Sequence, residues 1–225
     1  MTRGALIVIE GLDRTGKTTQ TNQLIEKLNS IDKKIELFKF PQRETIIGKL
    51  INSYLTSKPS EDDKDGEIIK LNDYSIHLLF SANRWELIDK IKNLLEQGVT
   101  VLLDRYVYSG VAYSSAKGLD FDWCLSSDIG LIKPDKTIFL KFEELNNLQD
   151  REGFGDEKYE VKEFQEKVRI QFGKIENLEI LKNSDKWDSI YVDNKSIKQV
   201  SDEIWEKIEK ICVNGIEEEL NFFTK

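Results

Sequence analysis

Gly11 and Gly16 bracket four residues near the start of the chain, and Lys17 and Thr18 follow directly, giving the spacing Gly-x-x-x-x-Gly-Lys-Thr. The chemistry that this spacing serves is the cradling of a polyphosphate. Glycine reaches backbone angles that a side chain forbids. The loop's N–H groups then turn inward at a helix N-terminus, whose partial positive charge favours anions. Lys17 can reach β and γ phosphates, and the Thr18 hydroxyl suits a magnesium ion. The flanks agree: residues 5–9 (ALIVI) read as a buried strand, and Leu24, Ile25 and Leu28 recur at helical intervals over 19–28. Strand, glycine loop and helix in this order imply a nucleoside triphosphate site, and a Gly-rich turn without a ligand is the poorer reading.

Other chemistry-bearing residues lie just past runs that read as strands: Pro41 and Arg43, then Asp104, Arg105 and Tyr106, then Asp193 and Lys195. In an open α/β sheet, ligands gather beyond the carboxyl ends of the strands, so these groups should share one edge with the glycine loop. A guanidinium grips phosphate oxygens through two parallel hydrogen bonds. Either Arg43 or Arg105 taken alone could be an ordinary surface ion pair. Two beside a triphosphate site imply a second phosphate, which a simple hydrolase does not need. Asp104 sits where such proteins place a carboxylate near the metal, with capping of the following helix as the other use. A GTPase is disfavoured, because Asn194-Lys195-Ser196-Ile197 lacks the closing Asp of Asn-Lys-x-Asp.

The elements that must position these residues are strands at 5–9, 35–40, 99–103, 137–140 and 189–192. Helices are expected at 19–28, 46–55, 67–97 (in one or two pieces), 106–117, 160–178 and 196–213. Their alternation predicts an α/β fold of three layers, with about five parallel strands flanked by helices. Ile46, Ile47, Leu50, Ile51, Tyr54 and Leu55 form one helix face. Ile76, Leu78, Leu79, Phe80, Ile88, Ile91, Leu94 and Leu95 are core candidates. Leu220, Phe222 and Phe223 should pack back on the body. A polar segment at 149–159 with two glycines is expected to be a mobile lid, and 57–73 an acidic insertion.

At 225 residues the chain suits a single domain, 1–225. A net charge of -8 argues against nucleic acid as a partner, which calls for basic surface. Cationic groups should therefore be concentrated at one place. Cys124 and Cys212 are too far apart in sequence to suggest a disulfide framework and read as buried thiols in a reducing compartment. No apolar run approaches membrane-span length, and no signal segment precedes the first strand. A cytoplasmic or nuclear location is the expectation.

In combination, six blocks resemble the thymidylate kinases, of eukaryotic type, among the P-loop nucleoside monophosphate kinases. They are Gly11-Leu-Asp-Arg14, Phe40-Pro-Gln-Arg43, His77-Leu-Leu-Phe-Ser-Ala-Asn-Arg-Trp-Glu86, Asp104-Arg-Tyr-Val-Tyr-Ser-Gly-Val-Ala-Tyr113, Gly130-Leu-Ile-Lys-Pro-Asp135 and Phe154-Gly-Asp-Glu-Lys-Tyr-Glu160. The resemblance covers nearly the whole chain. It implies a P-loop kinase fold, magnesium, a homodimer and the reaction ATP + dTMP → ADP + dTDP, by in-line transfer without a covalent intermediate. It further implies that ATP is held by Gly11, Arg14, Thr15, Gly16, Lys17, Thr18, Thr19, Arg151 and Lys195. Lys17, Arg14, Arg105 and Asp104 would be catalytic, and Thr18 and Asp104 would serve the metal. Asp13 would bond the sugar 3′-hydroxyl, with Arg43 and Arg105 on the acceptor phosphate and Phe40 and Pro41 beside it. Phe80 would stack on thymine, Arg84 would bond its carbonyl, and Tyr106 would lie under the deoxyribose. Ser109, Gly110, Tyr113 and Tyr159 would complete the base pocket. Without that resemblance, Phe80 and Tyr113 read as core aromatics and Arg84 as a helix-surface ion pair. His77 reads as structural. A deoxynucleoside kinase or broader nucleotide kinase is the alternative, and the Arg43–Arg105 pair speaks against a nucleoside acceptor. An ATP-dependent switch without transfer would not need Lys17, Thr18 and Asp104 together.

Overall fold

Every one of the six residues of Leu6–Gly11 (β1) is buried. A strand hidden on both faces belongs in the middle of a parallel sheet. A computed structural model, describing residues 2–56, 70–143, 158–159 and 161–224, places it there. The other strands are Ile35–Lys39 (β2), Thr100–Asp104 (β3), Lys136–Lys141 (β4) and Trp187–Tyr191 (β5). Their order across the sheet is β2-β3-β1-β4-β5, and all are parallel. Lys39 and Ile9 both register with Asp104, and Gly11 registers with Leu140. The strands therefore end together, which sets the loops that follow along one edge.

Helices Lys17–Ser30 (α1), Ile46–Thr56 (α2), Asp73–Trp85 (α3), Ile88–Glu96 (α4), Val107–Ala116 (α5), Phe121–Ser126 (α6), Lys162–Asn183 (α7) and Ile197–Asn214 (α8) complete the layers. The long helix expected over 67–97 is two helices, parted after Trp85. Ser196 starts α8 with a reciprocal capping box with Gln199, and Asn72 caps α3 through the N–H of Ser75. The short α6 has too few residues for a detectable period; its one local sign is Asp120, which accepts from the N–H of Trp123.

Two apolar faces were read too broadly. Ile46 is 83% exposed, Leu50 38% and Leu78 48%. The reason is that α2 and α3 form a small core of their own, from Ile51, Tyr54, Leu55 and Ile76, beside the main one. Residues on the opposite faces of these two helices have no sheet to cover them. The C-terminal segment does return to the body. Phe223 exchanges backbone hydrogen bonds with Gly130 and Leu131, and its ring packs on Tyr106 and Tyr108. Phe222 points the other way and is 44% exposed, as adjacent residues of an extended segment must.

Gly48 lets α2 run close under the loop that carries Arg43. A Cβ there would stand 1.8 Å from the Gln42 carbonyl oxygen. Gly48→Ala should therefore displace backbone, with a loss of about 2 kcal/mol in urea unfolding.

Candidate active site

The loops at the carboxyl edge enclose a cavity of about 630 Å³. Its wall takes Asp13, Arg14, Gly16, Lys17, Thr18 and Thr19 from the loop and helix after β1. Phe40, Pro41 and Arg43 come from the loop after β2. Asp104, Arg105, Tyr106, Ser109, Gly110 and Tyr113 come from the end of β3 and from α5, Phe80 and Arg84 from α3, and Tyr159 from the short described stretch before α7. The glycine loop, the two arginines expected to bind a second phosphate and the aromatic residues thus face one space.

The loop after β1 is shaped from within. A Cβ on Gly11 would stand 2.5 Å from the Leu140 carbonyl oxygen, and Gly16 begins α1 at a φ of 87°. Thr15 is buried and donates to Leu12 O at 3.0 Å. Lys17 Nζ donates to the same carbonyl at 2.6 Å. Burial and the neighbouring Arg105 bring the Lys17 ammonium down to about 8, against the pull of Asp13, Asp104 and Glu10. Thr18 Oγ1 donates to Asp104 Oδ2 at 3.1 Å, which sets a hydroxyl and a carboxylate together beneath the loop. Arg14 and Arg105 both hold left-handed backbone angles, φ 64° and 67°. Such angles cost a non-glycine residue about 1 kcal/mol each and gather at functional sites.

Arg105 ties the two halves of the cavity together. Its Nη1 donates to Gly11 O at 2.9 Å and to Ser109 Oγ at 3.3 Å, and its Nη2 donates to Asp13 Oδ1. Asp13 also accepts from Tyr113 at 3.0 Å and from Gln165 Nε2 at 2.6 Å. Burial alone would raise the Asp13 carboxyl, but Arg105 and Lys17 outweigh it and hold it below the usual carboxylate range. Glu10, fully buried at the end of β1, accepts from the N–H groups of Tyr106 and Ser109 at 2.9 and 3.0 Å, and so caps α5 from a different element. Burial pushes its carboxyl up.

Arg84 is not a surface ion pair. It is buried, its Nε and Nη2 donating to the two oxygens of a fully buried Asp128 at 3.1 and 2.6 Å. Phe80 is half-buried, packed against the small α2–α3 core and also at the cavity wall. Tyr113 stacks beneath the Arg105 guanidinium at 5.4 Å, and Tyr106 packs on Phe40 at 5.7 Å. Arg43 Nη1 donates to Asn52 Oδ1 at 2.7 Å. His77 lies wholly buried between Ser114 Oγ and Cys124 O, and burial depresses its basicity, as a structural role requires.

Lys195 does not join the others. It pairs with Glu203 at 2.7 Å and is absent from the cavity wall. The turn that carries it packs on the end of β4, where Asp193 accepts from the N–H of Glu143 at 2.6 Å, and Asn194 (φ 59°) redirects the chain into α8. Arg151, nearly all of the expected lid and most of the acidic insertion lie outside the described residues.

Two buried residues escaped the sequence reading. Gln165 continues the buried stripe Val168, Phe172 and Ile175 back by one step along α7, so a polar residue on a core-facing stripe was its signal. Asp128 had no comparable sign, since it follows a six-residue helix.

Residues 9–204 match the family model described as thymidylate kinase. Over 174 residues the chain is 51% identical to the thymidylate kinase of Schizosaccharomyces pombe (strain 972 / ATCC 24843), covering 77% of this chain and 78% of that one. It is 48% identical to the thymidylate kinase of Homo sapiens over 167 residues, 74% of each. Among solved structures, a thymidylate kinase from Candida albicans aligns over all of both chains with a TM-score of 0.85 and 43% identity. Fold, phosphate loop and sequence likeness agree, and the chain belongs to the thymidylate kinase family.

Proposed function

We propose that this protein transfers the γ-phosphoryl group of ATP to dTMP, giving ADP and dTDP. The observation that carries this reading is one cavity whose wall holds Lys17 and the glycine loop together with both Arg43 and Arg105. A donor triphosphate and an acceptor monophosphate each find cations there, and the half-buried Phe80 offers a face to a base.

The acceptor oxygen is largely ionised near neutral pH, since the second pKa of a phosphate ester is about 6. No strong base is needed, and catalysis reduces to alignment and charge neutralisation. Lys17 and Arg14 neutralise the transferred group, while Arg43 and Arg105 hold the acceptor phosphate. Asp13 keeps a lone pair for the sugar 3′-hydroxyl, because a carboxylate offers about four such sites and three are used by Arg105, Tyr113 and Gln165. Tyr106 backs the sugar, Arg84 meets the base, and Ser109, Gly110, Tyr113 and Tyr159 close the pocket around it. Magnesium, a hard cation that takes few carboxylates and many phosphate oxygens, fits the Thr18–Asp104 pair and would supply charge stabilisation at the donor phosphates. The segment 149–159, with Arg151, would close to exclude water.

Together the residues 1–225 would act as one domain. The exposed Ile46, Leu50 and Leu78 on α2 and α3 are read as the face that meets a second copy. The buried, free thiols of Cys124 and Cys212 suit a reducing cytoplasm.

Initial rates with ATP, magnesium and a panel of dTMP, dUMP, dGMP and thymidine test the reading; a preference for thymidine over dTMP would overturn it. Arg105→Ala should cost about 3 kcal/mol in kcat/KM for dTMP, as loss of charge-assisted bonds implies. Arg14→Gly should instead lower kcat with ATP binding kept, and relief of its left-handed backbone should raise stability by up to about 1 kcal/mol in thermal unfolding.

Lys17 gives a pH dependence. Its free-state value of about 8 should rise when phosphates arrive, so ATP affinity is full below that value and weakens as pH climbs past it. Above that value binding should be accompanied by proton uptake that grows with pH, read by calorimetry in buffers of different ionisation enthalpy. Absence of uptake there would remove Lys17 from the triphosphate.

A further inference from the structure

We infer that Asp128 is a positioning residue for the acceptor site: it fixes the edge that Arg84 turns to the acceptor's base and so sets which base is accepted. The inference rests on the assignment of Arg84 to the base made above. Asp128 grips Arg84 side-on, through Nε at 3.1 Å and Nη2 at 2.6 Å. A two-pronged bond of this kind fixes the plane of a guanidinium as well as its place. The carboxylate is itself held, accepting from Ser81 Oγ at 2.7 Å. Its loop is pinned to α3 as well, since Trp85 Nε1 donates to Ser127 O at 2.9 Å and Ser81 Oγ, sharing its one proton with Asp128, lies 2.9 Å from the same oxygen. The far end of the guanidinium, Nη1 and Nη2 together, lies against Gly110. A Cβ on Gly110 would stand 2.9 Å from Nη1 and 2.8 Å from Nη2, so this glycine is the space the guanidinium occupies beside the cavity.

A buried ion pair is weak evidence for added stability. What this one supplies is direction. A guanidinium is donor-only, so the edge held toward the cavity matches a ring carbonyl. It meets an exocyclic amine donor to donor. Without Asp128 the same guanidinium could rotate toward other acceptors, and discrimination between carbonyl and amine would fade.

The test compares Asp128→Asn, Arg84→Gln, their double variant and Ser81→Ala. For each, kcat and KM for dTMP, KM for ATP and the inhibition constant of dCMP as a competing ligand are measured. Asp128→Asn should raise KM for dTMP about tenfold and narrow the preference for dTMP over dCMP by a similar factor, with kcat and KM for ATP moving less than about threefold. Arg84→Gln should do the same, and the double variant should be no worse than Arg84→Gln alone, since one residue acts through the other. Ser81→Ala, which loosens the carboxylate without touching the cavity, should raise KM for dTMP about threefold. If Asp128→Asn fails to fold, the neutral double variant and Ser81→Ala decide the matter. Additive effects, or an unchanged dTMP-to-dCMP preference beside a changed Arg84→Gln, would overturn the positioning role alone. An unaffected Arg84→Gln would overturn both it and the assignment of Arg84.

Discussion

A half-buried guanidinium beside the phosphate loop holds this structure together. Arg105 reaches Gly11 O, Ser109 and Asp13 at once, and so joins the end of β1 to the start of α5 and the loop between β1 and α1. Its left-handed backbone is accepted because these bonds over-determine it. In a site with little water each charge acts strongly on its neighbours. Glu10, Asp13 and Asp104 offset Lys17 and Arg105, the first by capping a helix, the others beside the cations. The depressed ammonium of Lys17 follows from its burial and from Arg105 beside it, with the three carboxylates pulling the other way.

The sheet makes this concentration of charge possible. Five parallel strands in register bring every loop of consequence to one edge, and β1, buried at each residue, stands third of five. One turn is the exception. β5 is outermost, and the turn after it is taken up by β4 and α8 rather than by the cavity. A chain with net charge -8 can thus carry a strongly cationic pocket, because topology decides where charge gathers and composition does not.

Support beyond the cavity wall is as important as the wall. Gln165 steers Asp13 and holds Tyr159 through its backbone carbonyl at 2.9 Å, so α7 ties the loop after β1 to the last residue of the expected lid. Asp128 steers Arg84. Phe223, from the far end of the chain, packs behind Tyr106. Each acts on a group of the cavity wall, and supports of this kind govern how tightly a site is held.

Read in one dimension, the chain already determined its phosphate loop, because its glycines and lysine work over a few residues between a strand and a helix. It determined the alternation of strand and helix for the same reason, since period and capping are local. Tertiary structure alone decided which polar groups meet. Arg84 finds Asp128 across 44 residues, Asp13 finds Gln165 across 152, and no local signal prices such a pairing. It also decided which apolar faces are covered, leaving Ile46 and Leu78 in the open, since burial is set by the neighbour an element acquires and not by the element's own periodicity.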